Sequence, residues 1–319
     1  RHILCASADA SDFADLDASL TVHTVDGPLD DTTPARAFDL GVITPSSPGV
    51  IQYTSGSTSR PRGVALTHHN LAQNCYYMTA DYHFEPREAL TSWLPFYHDM
   101  GLIAELLVTV YRRLPFYLLE TMTFLQDPMV WLSSISRHRA TISHIPNFAL
   151  AHCLKRISDD ELATLDLSHV HGVFLGSEPI DKRVVDAFTT RFASTGLSPD
   201  AIGGAYGLAE STVGVCRTEP MAGLRFDRVD RHALADGLAT PADSSTPHTA
   251  LVANVGRVIR EHRVIIVDER GEELGERQVG ELLVQGPSVM RGYWEKPGAT
   301  ARILSERGDG VWLSTGDSG

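Results

Sequence analysis

The sequence contains few cysteines, and those it has stand far apart. The four are Cys5, Cys75, Cys153 and Cys216. They include no Cys-x-x-Cys pair, so they indicate neither a disulfide framework nor a zinc site. Cysteine usage of this kind is typical of a protein in a reducing compartment. We therefore predict a cytoplasmic location.

Long apolar runs and an excess of basic residues are also missing. No apolar run reaches the ~18 residues that mark a membrane-spanning helix. Basic residues are in the minority, with 27 Lys and Arg against 40 Asp and Glu and a net charge of −13. No basic stripe offsets this charge, whereas proteins bind a nucleic-acid backbone through clustered cations. We predict neither a membrane span nor a nucleic-acid partner.

Strand and helix signals alternate along the middle of the chain, whose 319 residues can bury a large core. Short apolar runs predict strands at 49–54, 90–94, 115–119, 140–145, 170–175 and 201–206. Helical patterns predict helices at 68–80, 99–111, 124–138, 147–157 and 181–195. Alternation of this kind is typical of an α/β layered fold with a mostly parallel sheet.

The pattern changes towards the end of the sequence. Two β-prone runs, 263–267 and 279–284, lie on either side of a turn at Glu269-Arg270-Gly271. Runs that flank a glycine-containing turn predict an antiparallel or barrel-like portion. Residues 236–248 have low hydrophobicity and are predicted to form an exposed loop.

A loop rich in hydroxyl groups follows the strand predicted at 49–54. Residues 53–63 read Tyr-Thr-Ser-Gly-Ser-Thr-Ser-Arg-Pro-Arg-Gly. Glycine lets the backbone approach a ligand closely, and hydroxyls with successive backbone N–H groups form a concave anion site. The common P-loop is excluded because no Gly-Lys-Ser/Thr occurs. We interpret the loop as a cradle for a polyphosphate.

Five further segments carry glycine, aromatic, amide or carboxylate residues, and four of them lie at the end of a predicted strand. They are Trp93–Gly101, Ile145–Ala149, Gly176–Pro179, Tyr206–Thr212 and Trp312–Asp317.

Each of these segments also has a purely structural interpretation. Asp99 suits a helix N-cap, and Pro146 suits the first turn of a helix. The 176–179 segment could be only a tight turn before a helix, and Glu210 could be only a solvated acid. Several segments in a fixed order are therefore more informative than any single one.

In their order, these segments resemble the signatures of the adenylate-forming superfamily, which includes acyl-CoA synthetases, luciferases and the adenylation domains of peptide synthetases. The first signature usually reads Thr-Ser-Gly-Ser/Thr-Thr-Gly-x-Pro-Lys-Gly, and Ser59 and Arg62 depart from it. The resemblance implies the large N-terminal domain of such an enzyme. That domain has layered α/β subdomains with mixed sheets and a C-terminal β-barrel-like portion, and the family's mobile C-terminal domain is absent.

Within the superfamily, the wording is most similar to fatty acyl-AMP ligases. Trp-Leu-Pro-x-Tyr-His-Asp-Met-Gly-Leu-Ile and Pro-Asn-Phe-Ala resemble their motifs, and Ala209 stands where other members usually have Thr. The 45 residues between Glu210 and Gly256 resemble a segment that these ligases carry and that is thought to disfavour the CoA reaction. The Phe-Asp pair of peptide-synthetase domains is missing, which argues against an amino-acid substrate.

The resemblance also implies roles for individual residues. ATP and Mg²⁺ are the implied cofactors, with Glu210 as the metal ligand. The implied catalytic residues are Thr54, Ser55, Gly56, Ser57, Thr58, Arg62, His98 and Glu210. The implied nucleotide-binding residues are Gly176, Ser177, Glu178, Pro179, Tyr206, Gly207 and Asp317. The implied acyl-binding residues are His98, Asn147, Phe148 and Gly204.

The implied reaction activates a fatty acid with ATP and passes the acyl group to an acyl carrier protein. The implied organisation is a connecting segment at 1–48, an ATP- and acyl-binding subdomain at 49–215, an inserted segment and loop at 216–254, and a β-rich subdomain at 255–319. We expect the C-terminal domain to act in cis beyond Gly319. Two alternatives stay open: a fatty acyl-CoA synthetase, and an inactive adenylate-binding module, for which Ser59 and Arg62 are the only support.

Overall fold

The chain is divided into two compact units, Arg1–Ile43 and Thr44–Gly319. The first unit contains a parallel pair of strands, β1 (His2–Cys5) and β2 (Thr21–Thr24), and a 3₁₀ turn at Leu40–Val42. The computed structural model describes residues 2–5, 21–24, 40–54, 61–80 and 88–319.

The second unit contains mixed sheets and the helices that pack on them. Its strands are β3 (Pro48–Thr54), β4 (Arg62–Thr67), β5 (Leu90–Ser92), β6 (Phe116–Leu118), β7 (Ile142–Ile145), β8 (Gly172–Leu175), β9 (Ile202–Tyr206), β10 (Cys216–Arg217), β11 (Phe226–Asp230), β12 (Thr249–Ala253), β13 (Arg257–Val258), β14 (Arg263–Val267), β15 (Glu281–Gln285), β16 (Gly292–Tyr293), β17 (Leu304–Arg307) and β18 (Gly310–Ser318). Its α-helices are α1 (His68–Thr79), α2 (Val108–Arg112), α3 (Thr121–Gln126), α4 (Met129–His138), α5 (Asn147–Arg156), α6 (Asp159–Leu162), α7 (Lys182–Phe192), α8 (Arg231–Ala235) and α9 (Pro297–Ile303).

The central sheet has the order β13-β10-β9-β8-β7-β5-β6. Strands β9, β8, β7, β5 and β6 run parallel, whereas β10 is antiparallel to both β9 and β13. Every residue of β7 and β8 is buried, as expected for parallel strands that helices cover on both faces. The α/β fold and the mostly parallel sheet predicted from the sequence are confirmed.

Aromatic packing fixes the helices against this sheet. The ring of Trp93, just after β5, stacks on Phe124 of α3, with centroids 3.8 Å apart and planes 4° from parallel. Trp131 of α4 is fully buried, and its indole Nε1 donates a hydrogen bond to Ser143 Oγ of β7 at 3.1 Å. The buried indole therefore has the polar partner that it requires.

One predicted helix is wrong in its extent. The sequence pattern predicts a single helix at 124–138, but α3 ends at Gln126 and α4 begins at Met129. Asp127 is extended (φ −142°, ψ 97°) because the Pro128 ring disfavours helical backbone in the preceding residue. The predicted helix 99–111 is present, but its first part, Met100–Leu107, has π-helical hydrogen bonding.

Two smaller sheets flank the central one. Strands β16, β4 and β3 form an antiparallel sheet. In it, β16, which contains Tyr293, pairs with β4, the strand that follows the hydroxyl-rich loop. Strands β14, β15, β18 and β17 form an antiparallel sheet in that order. Of the two arrangements that the sequence allowed for the C-terminal portion, the structure has the open antiparallel sheet. Strands β14 and β17 are its edges, with no ladder between them in the part of the chain described.

The predicted inserted segment contains its own secondary structure. Strands β11 and β12 pair antiparallel, from Phe226 opposite Ala253 to Asp230 opposite Thr249. Between them, the residues of 236–248 are exposed or only partly buried, which confirms the predicted surface loop. The predicted domain boundaries at 48, 215 and 254 stay predictions.

No helix among the described residues is both long and apolar enough to cross a membrane.

Candidate active site

Four of the predicted site segments lie at one edge of the central sheet. Strands β5, β7, β8 and β9 are parallel, so their carboxyl ends meet at that edge. They end at Ser92, Ile145, Leu175 and Tyr206. The segments that begin at 93, 146, 176 and 207 follow directly. Crevices outside the carboxyl ends of parallel strands are the usual ligand sites of open α/β sheets.

A cavity opens at this edge of the sheet. Three of the predicted segments contribute to its wall, and the contributing residues are Asp99, Met100, Gly176, Ser177, Tyr206 and Gly207. The structure therefore brings together residues that are separated by more than a hundred positions in the sequence.

Gly176 leaves little room for a side chain. An added Cβ would lie 3.3 Å from the carbonyl oxygen of Ala205, so the backbones of two neighbouring strand ends approach closely there. Ser177 has φ +67°, in the left-handed region that non-glycine residues rarely adopt. Strained backbone of this kind is concentrated at binding sites. Glu178 and Pro179 are exposed on the same turn.

Tyr206 and Asp317 form one polar pair of the site. The phenol Oη of Tyr206 donates to Asp317 Oδ2 at 2.7 Å across 111 positions of sequence. Burial, together with this bond to a carboxylate, raises the pKa of Tyr206 well above its usual value of 10.0. Asp317 is exposed near the end of β18, and its backbone N–H donates to Thr315 Oγ1 at 3.1 Å. The pair therefore presents an aromatic ring and an accessible carboxylate side by side.

Glu210 and Tyr293 form a second polar pair. The Tyr293 hydroxyl donates to Glu210 Oε1 at 2.7 Å, and the Glu210 carbonyl accepts from Met290 N at 2.8 Å. Burial and the Glu210 carboxylate raise the pKa of Tyr293 to about 12, so the phenol stays protonated and keeps donating. The guanidinium of Arg62 lies 5.3 Å from the centre of the Tyr293 ring. Tyr293 thus links the predicted metal ligand to the predicted phosphate cation.

The loop that carries Glu210 is anchored to α1. Asn74 is fully buried, and its amide Nδ2 donates to Gly214 O and to Ser288 Oγ, each at 2.9 Å. Its Oδ1 accepts from Gly214 N at 3.2 Å. Thr212, at φ 70°, donates from Oγ1 to Ser288 O at 2.6 Å. These bonds hold the Glu210 loop against the segment that leads to Tyr293.

The predicted acyl-binding helix start contacts the predicted nucleotide turn. Phe148 N donates to Glu178 Oε1 at 2.6 Å, so an acid from one segment caps the N-terminus of α5 in another. A carboxylate at this position also interacts favourably with the helix dipole. Asn147 is buried, and its Oδ1 accepts no hydrogen bond from any described residue. Phe148 is 42% exposed, so its ring is available at the edge of the site.

His98 lies at the rim of the site and is paired with its neighbour. Its Nδ1 is 2.8 Å from Asp99 Oδ1, and the same carboxylate oxygen accepts from Met100 N at 2.7 Å. The structural role predicted for Asp99, capping the helix that begins at Met100, is therefore confirmed. The hydrogen bond to Asp99 raises the pKa of His98 above its ordinary value of 6.5, although burial opposes the rise.

We expect Asp99→Asn to lower the pKa of His98. Asparagine can still cap Met100, but it removes the negative charge that stabilises the imidazolium. Because the folded pKa is raised, the pair's contribution to stability is complete below pH 6.5 and is lost as the pH rises through the folded pKa. NMR titration of His98 in both proteins measures the change. An unchanged His98 midpoint in the variant would contradict the assigned cause.

Several predicted residues lie elsewhere or outside the description. Ser55, Gly56, Ser57 and Thr58 lie outside the described residues. Thr54 ends β3 and stands opposite Arg62 in the ladder, so both flank that loop. Gly204 is buried within β9, where an added Cβ would lie 3.1 Å from Leu224 Cδ1 and 3.2 Å from Asn254 O. Close packing therefore accounts for this glycine, and its acyl-binding role stays a prediction.

Three residues of the site have no predicted role. Tyr293 lies in β16 and belongs to none of the six segments that the sequence singles out. His144 and Arg217 line the cavity, yet neither belongs to a recognisable motif. The sequence signal that points to His144 is its position inside a short strand, Ile142–Ile145, that begins and ends with isoleucine.

The donor set fits a nucleotide-bound Mg²⁺ better than a resident metal centre. No group of three or more His, Cys, Asp or Glu side chains among the described residues could hold a metal ion. Mg²⁺ is usually bound by one or two carboxylates together with substrate phosphates. Glu210 offers one partly exposed carboxylate, with one of its oxygens oriented by Tyr293.

Curated proteins are similar to this chain in sequence. The chain is 38% identical over 300 residues to the 4-hydroxyphenylalkanoate adenylyltransferase of Mycobacterium tuberculosis, covering 91% of this chain and 48% of that protein. It is 36% identical over 277 residues to a medium-chain-fatty-acid–[acyl-carrier-protein] ligase of Moorena producens, covering 84% and 47%. The chain thus spans about half the length of these relatives.

Solved structures share the fold. The fatty acyl-adenylate ligase of L. pneumophila, in complex with acyl adenylate and pyrophosphate, matches with a TM-score of 0.91 and 31% identity over 100% of this chain and 56% of that one. A family model described as "AMP-binding enzyme" matches residues 4–294. The resemblance predicted from the ordered motifs is thereby confirmed. The chain belongs to the AMP-binding enzymes of the adenylate-forming superfamily.

Proposed function

We propose that this chain is the adenylate-forming part of a fatty acyl-AMP ligase. One observation carries the proposal: the Tyr206–Asp317 and Glu210–Tyr293 pairs both arise from the segment at the end of β9. An aromatic ring with an accessible carboxylate suits a nucleoside, and a carboxylate with a nearby guanidinium suits a metal-bound polyphosphate. The two pairs together therefore favour ATP.

The nucleoside side of the site is proposed as follows. The ring of Tyr206 stacks on adenine, and the backbone of the 176–179 turn lies along the adenine face, where Gly176 permits close approach. Asp317 accepts hydrogen bonds from the two ribose hydroxyls, because a carboxylate has two oxygens to meet a vicinal diol. The bond from Tyr206 to Asp317 orients that carboxylate before the nucleotide arrives.

The phosphate side uses the two ends of the hydroxyl-rich loop. Thr54 and the residues 55–58 bind the β- and γ-phosphates, and Arg62 supplies a fixed positive charge where relatives usually have lysine. Arginine is planar and forked, so it can bind two phosphate oxygens at once. Glu210 holds the nucleotide's Mg²⁺, which neutralises charge on the phosphates.

The reaction is a displacement at phosphorus. A carboxylate oxygen of the fatty acid forms a bond to the α-phosphorus, and the bond from that phosphorus to the bridging oxygen breaks. Pyrophosphate leaves with the electron pair, and acyl adenylate remains. No proton needs to be removed from an ionised acid, so the chain's residues act by positioning and charge stabilisation. His98, Asn147 and Phe148 are proposed to border the acyl group near the α-phosphate.

The proposed acceptor of the acyl group is supported by the names of similar proteins. The Moorena producens protein is named as a ligase that acts on an acyl carrier protein. We propose the same acceptor here. The phosphopantetheine thiolate, its proton lost to solvent, attacks the acyl carbonyl carbon, the bond from that carbon to the AMP oxygen breaks, and the thioester forms as AMP leaves. We propose that a C-terminal domain acts in cis. A cytoplasmic location remains a prediction from the scattered cysteines.

The test is acid-dependent exchange of pyrophosphate into ATP by the full-length protein that contains this chain. We expect exchange with fatty acids, acyl adenylate as the product without a thiol, and acyl carrier protein thioester when the loaded carrier is added. Product mass spectrometry identifies each species. If no carboxylic acid supports exchange, the proposal is wrong and the chain is an inactive adenylate-binding module.

An acyl-CoA synthetase is the second candidate, because a Caulobacter vibrioides relative that is 36% identical is named a putative acyl-CoA synthetase. Adding CoA separates the two. Acyl-CoA formed at a rate comparable to adenylate formation would favour this second candidate, and its absence would favour the carrier protein as acceptor.

A further inference from the structure

The cavity at the carboxyl edge of the sheet continues between strands and helices. A second, adjoining cavity shares four lining residues with it, namely Met78, Ala104, His144 and Arg217. Beyond them the walls are mainly apolar, with Leu90, Val108, Ile142 and Phe174. The deeper cavity is therefore mainly apolar, and the polar side chains that line it are those of Thr79, His144 and Arg217.

His144 is held in place by a buried carboxylate. The Glu105 side chain is 0% exposed, and its Oε1 lies 3.1 Å from His144 Nδ1 and accepts from His144 N at 2.7 Å. One carboxylate oxygen thus fixes both the backbone and the ring. This arrangement places the Nδ1 proton towards Glu105, which leaves Nε2 as the ring atom available for another partner.

The second ring nitrogen, Nε2, has no hydrogen-bond partner in the described part of the chain. No hydrogen bond from a described residue reaches His144 Nε2, and the ring lines both cavities. The ring packs face to face on Phe174, with centroids 5.3 Å apart and planes 28° from parallel. The guanidinium of Arg217 lies 5.6 Å from the centre of the same Phe174 ring.

Retaining this pair in an apolar wall is costly. Burial raises the pKa of Glu105, against the two hydrogen bonds from His144. Its Oε2 is buried without a hydrogen-bond partner in the described part of the chain. Leaving a buried polar atom without a hydrogen-bond partner is destabilising. Glu105 also lies in the π-helical stretch Met100–Leu107, and such stretches often occur at functional sites. If these two side chains only filled space, apolar side chains of similar volume would make the protein more stable.

We propose that His144 Nε2 binds a hydroxyl group on the acyl substrate. The preferred acids therefore carry a hydroxyl group, and the matching acids without one are poorer substrates. This inference rests on the proposed function, because it names the substrate class of that same site. Glu105 is a positioning residue in this scheme, since it acts through His144. Arg217 lines the same wall.

The strand register gives the depth of the hydroxyl. His144 stands opposite Phe174 in the β7–β8 ladder, two residues before Gly176 at the nucleotide turn. At ~3.3 Å per residue, the imidazole lies on the order of 7 Å below that turn. A hydroxyl several bonds away from the carboxylate, on a ring or on a chain, can reach it.

Matched acids test the inference in the unmodified full-length enzyme. The first pair is 4-hydroxyphenylpropanoate and phenylpropanoate, and the second is ω-hydroxyoctanoate and octanoate. We expect kcat/KM for pyrophosphate exchange to favour the hydroxylated member of at least one pair by about tenfold or more, because a site built to bind a hydroxyl rejects the analogue without it. The pair that shows the preference tells whether the hydroxyl is aromatic or aliphatic.

His144→Phe provides the second arm, with His138→Phe as its matched control. Both histidines stack on an aromatic ring, and His138 packs on Tyr117 at 3.9 Å, away from both cavities. We expect His144→Phe to lower kcat/KM about tenfold for the hydroxylated acid and to leave the other acid within a few fold. His138→Phe should keep the wild-type ratio.

The outcomes separate this inference from the proposed function. Exchange that is equally fast with both members of each pair would overturn the inference and leave the proposed function standing. An equal loss for both members in His144→Phe would also overturn it, since the ring would then be only structural. If no carboxylic acid supported exchange, the proposed function itself would be wrong. The wild-type comparison decides the matter even if His144→Phe fails to fold.

Discussion

Replacing Glu210 with glutamine is expected to lower acid-dependent pyrophosphate exchange by about 10²- to 10³-fold, because the site loses the carboxylate proposed to hold the nucleotide's cation. Glutamine has nearly the same shape and can still accept from the Tyr293 hydroxyl, so the surrounding loop should keep its structure. The loss should appear in kcat/KM for ATP measured at saturating Mg²⁺.

Two other variants show whether the effect is specific. Glu276→Gln makes the same chemical change on an exposed acid that does not line the cavity, and it should leave the rate unchanged. Tyr293→Phe removes only the hydroxyl that orients Glu210 Oε1. A hydrogen bond to a charged group contributes ~1.5–3 kcal/mol, so we expect a loss of rate of about 10- to 150-fold. A Glu210→Gln enzyme within threefold of wild type would contradict the assigned role.

The sequence predicted the location of the site better than its connections. Four of the signatures lie at the ends of strands predicted for a mostly parallel sheet, so their convergence at one edge could be deduced before the structure. Strand β3, before the hydroxyl-rich loop, and strand β18, which carries Asp317, belong to other sheets. The pairing of Tyr206 with Asp317 was implied by the family resemblance only as two residues near one nucleotide. The direct bond of 2.7 Å between them depends on the packing of the antiparallel β15–β18 sheet, which no local pattern encodes.

Long-range polar contacts are what sequence reasoning missed. Glu210 and Tyr293 are 83 positions apart, and Glu105 and His144 are 39 apart. Neither pair has a periodic or spaced motif, because their meeting depends on the crossing of separate elements. The sequence around His144 contains no group of histidines with the spacing of metal ligands, so no motif indicates a function for it. Its partner is a glutamate that the sequence gives no reason to consider buried.

Local backbone chemistry explains the smaller errors. The hydrophobic pattern of 124–138 is continuous across Pro128, so periodicity alone predicts one helix. The steric effect of proline on Asp127 overrides it. The π-helical hydrogen bonding of Met100–Leu107 is likewise invisible in the sequence, because its residues also suit an ordinary helix.

Gly207 is a position where one methyl group should disable the site. A Cβ added there would lie 1.6 Å from Val213 O and 3.0 Å from Gly214 Cα, far inside van der Waals contact. The atoms that it meets are backbone, and Asn74 holds Gly214 on both its N–H and its carbonyl. The loop therefore cannot move aside without breaking buried hydrogen bonds.

We expect Gly207→Ala to destabilise the protein by about 3 kcal/mol, at the upper end of the usual cost of overpacking. We also expect loss of most of its exchange activity. The residue joins Tyr206 to the turn that carries Glu210, so any shift that relieves the clash displaces at least one of the two polar pairs. Urea unfolding measures the stability, and pyrophosphate exchange below the unfolding transition measures the activity.

Gly298→Ala is the matched control, because an added Cβ there meets no atom within 4 Å. Gly298 lies in the first turn of α9, where alanine is the better helix former, so this variant should be as stable as wild type or slightly more stable. If Gly207→Ala instead unfolded at the wild-type urea concentration with wild-type activity, the 207–214 loop would have to be free to rearrange. That result would contradict our conclusion that the 207–214 loop rigidly links the nucleoside side of the site to the phosphate side.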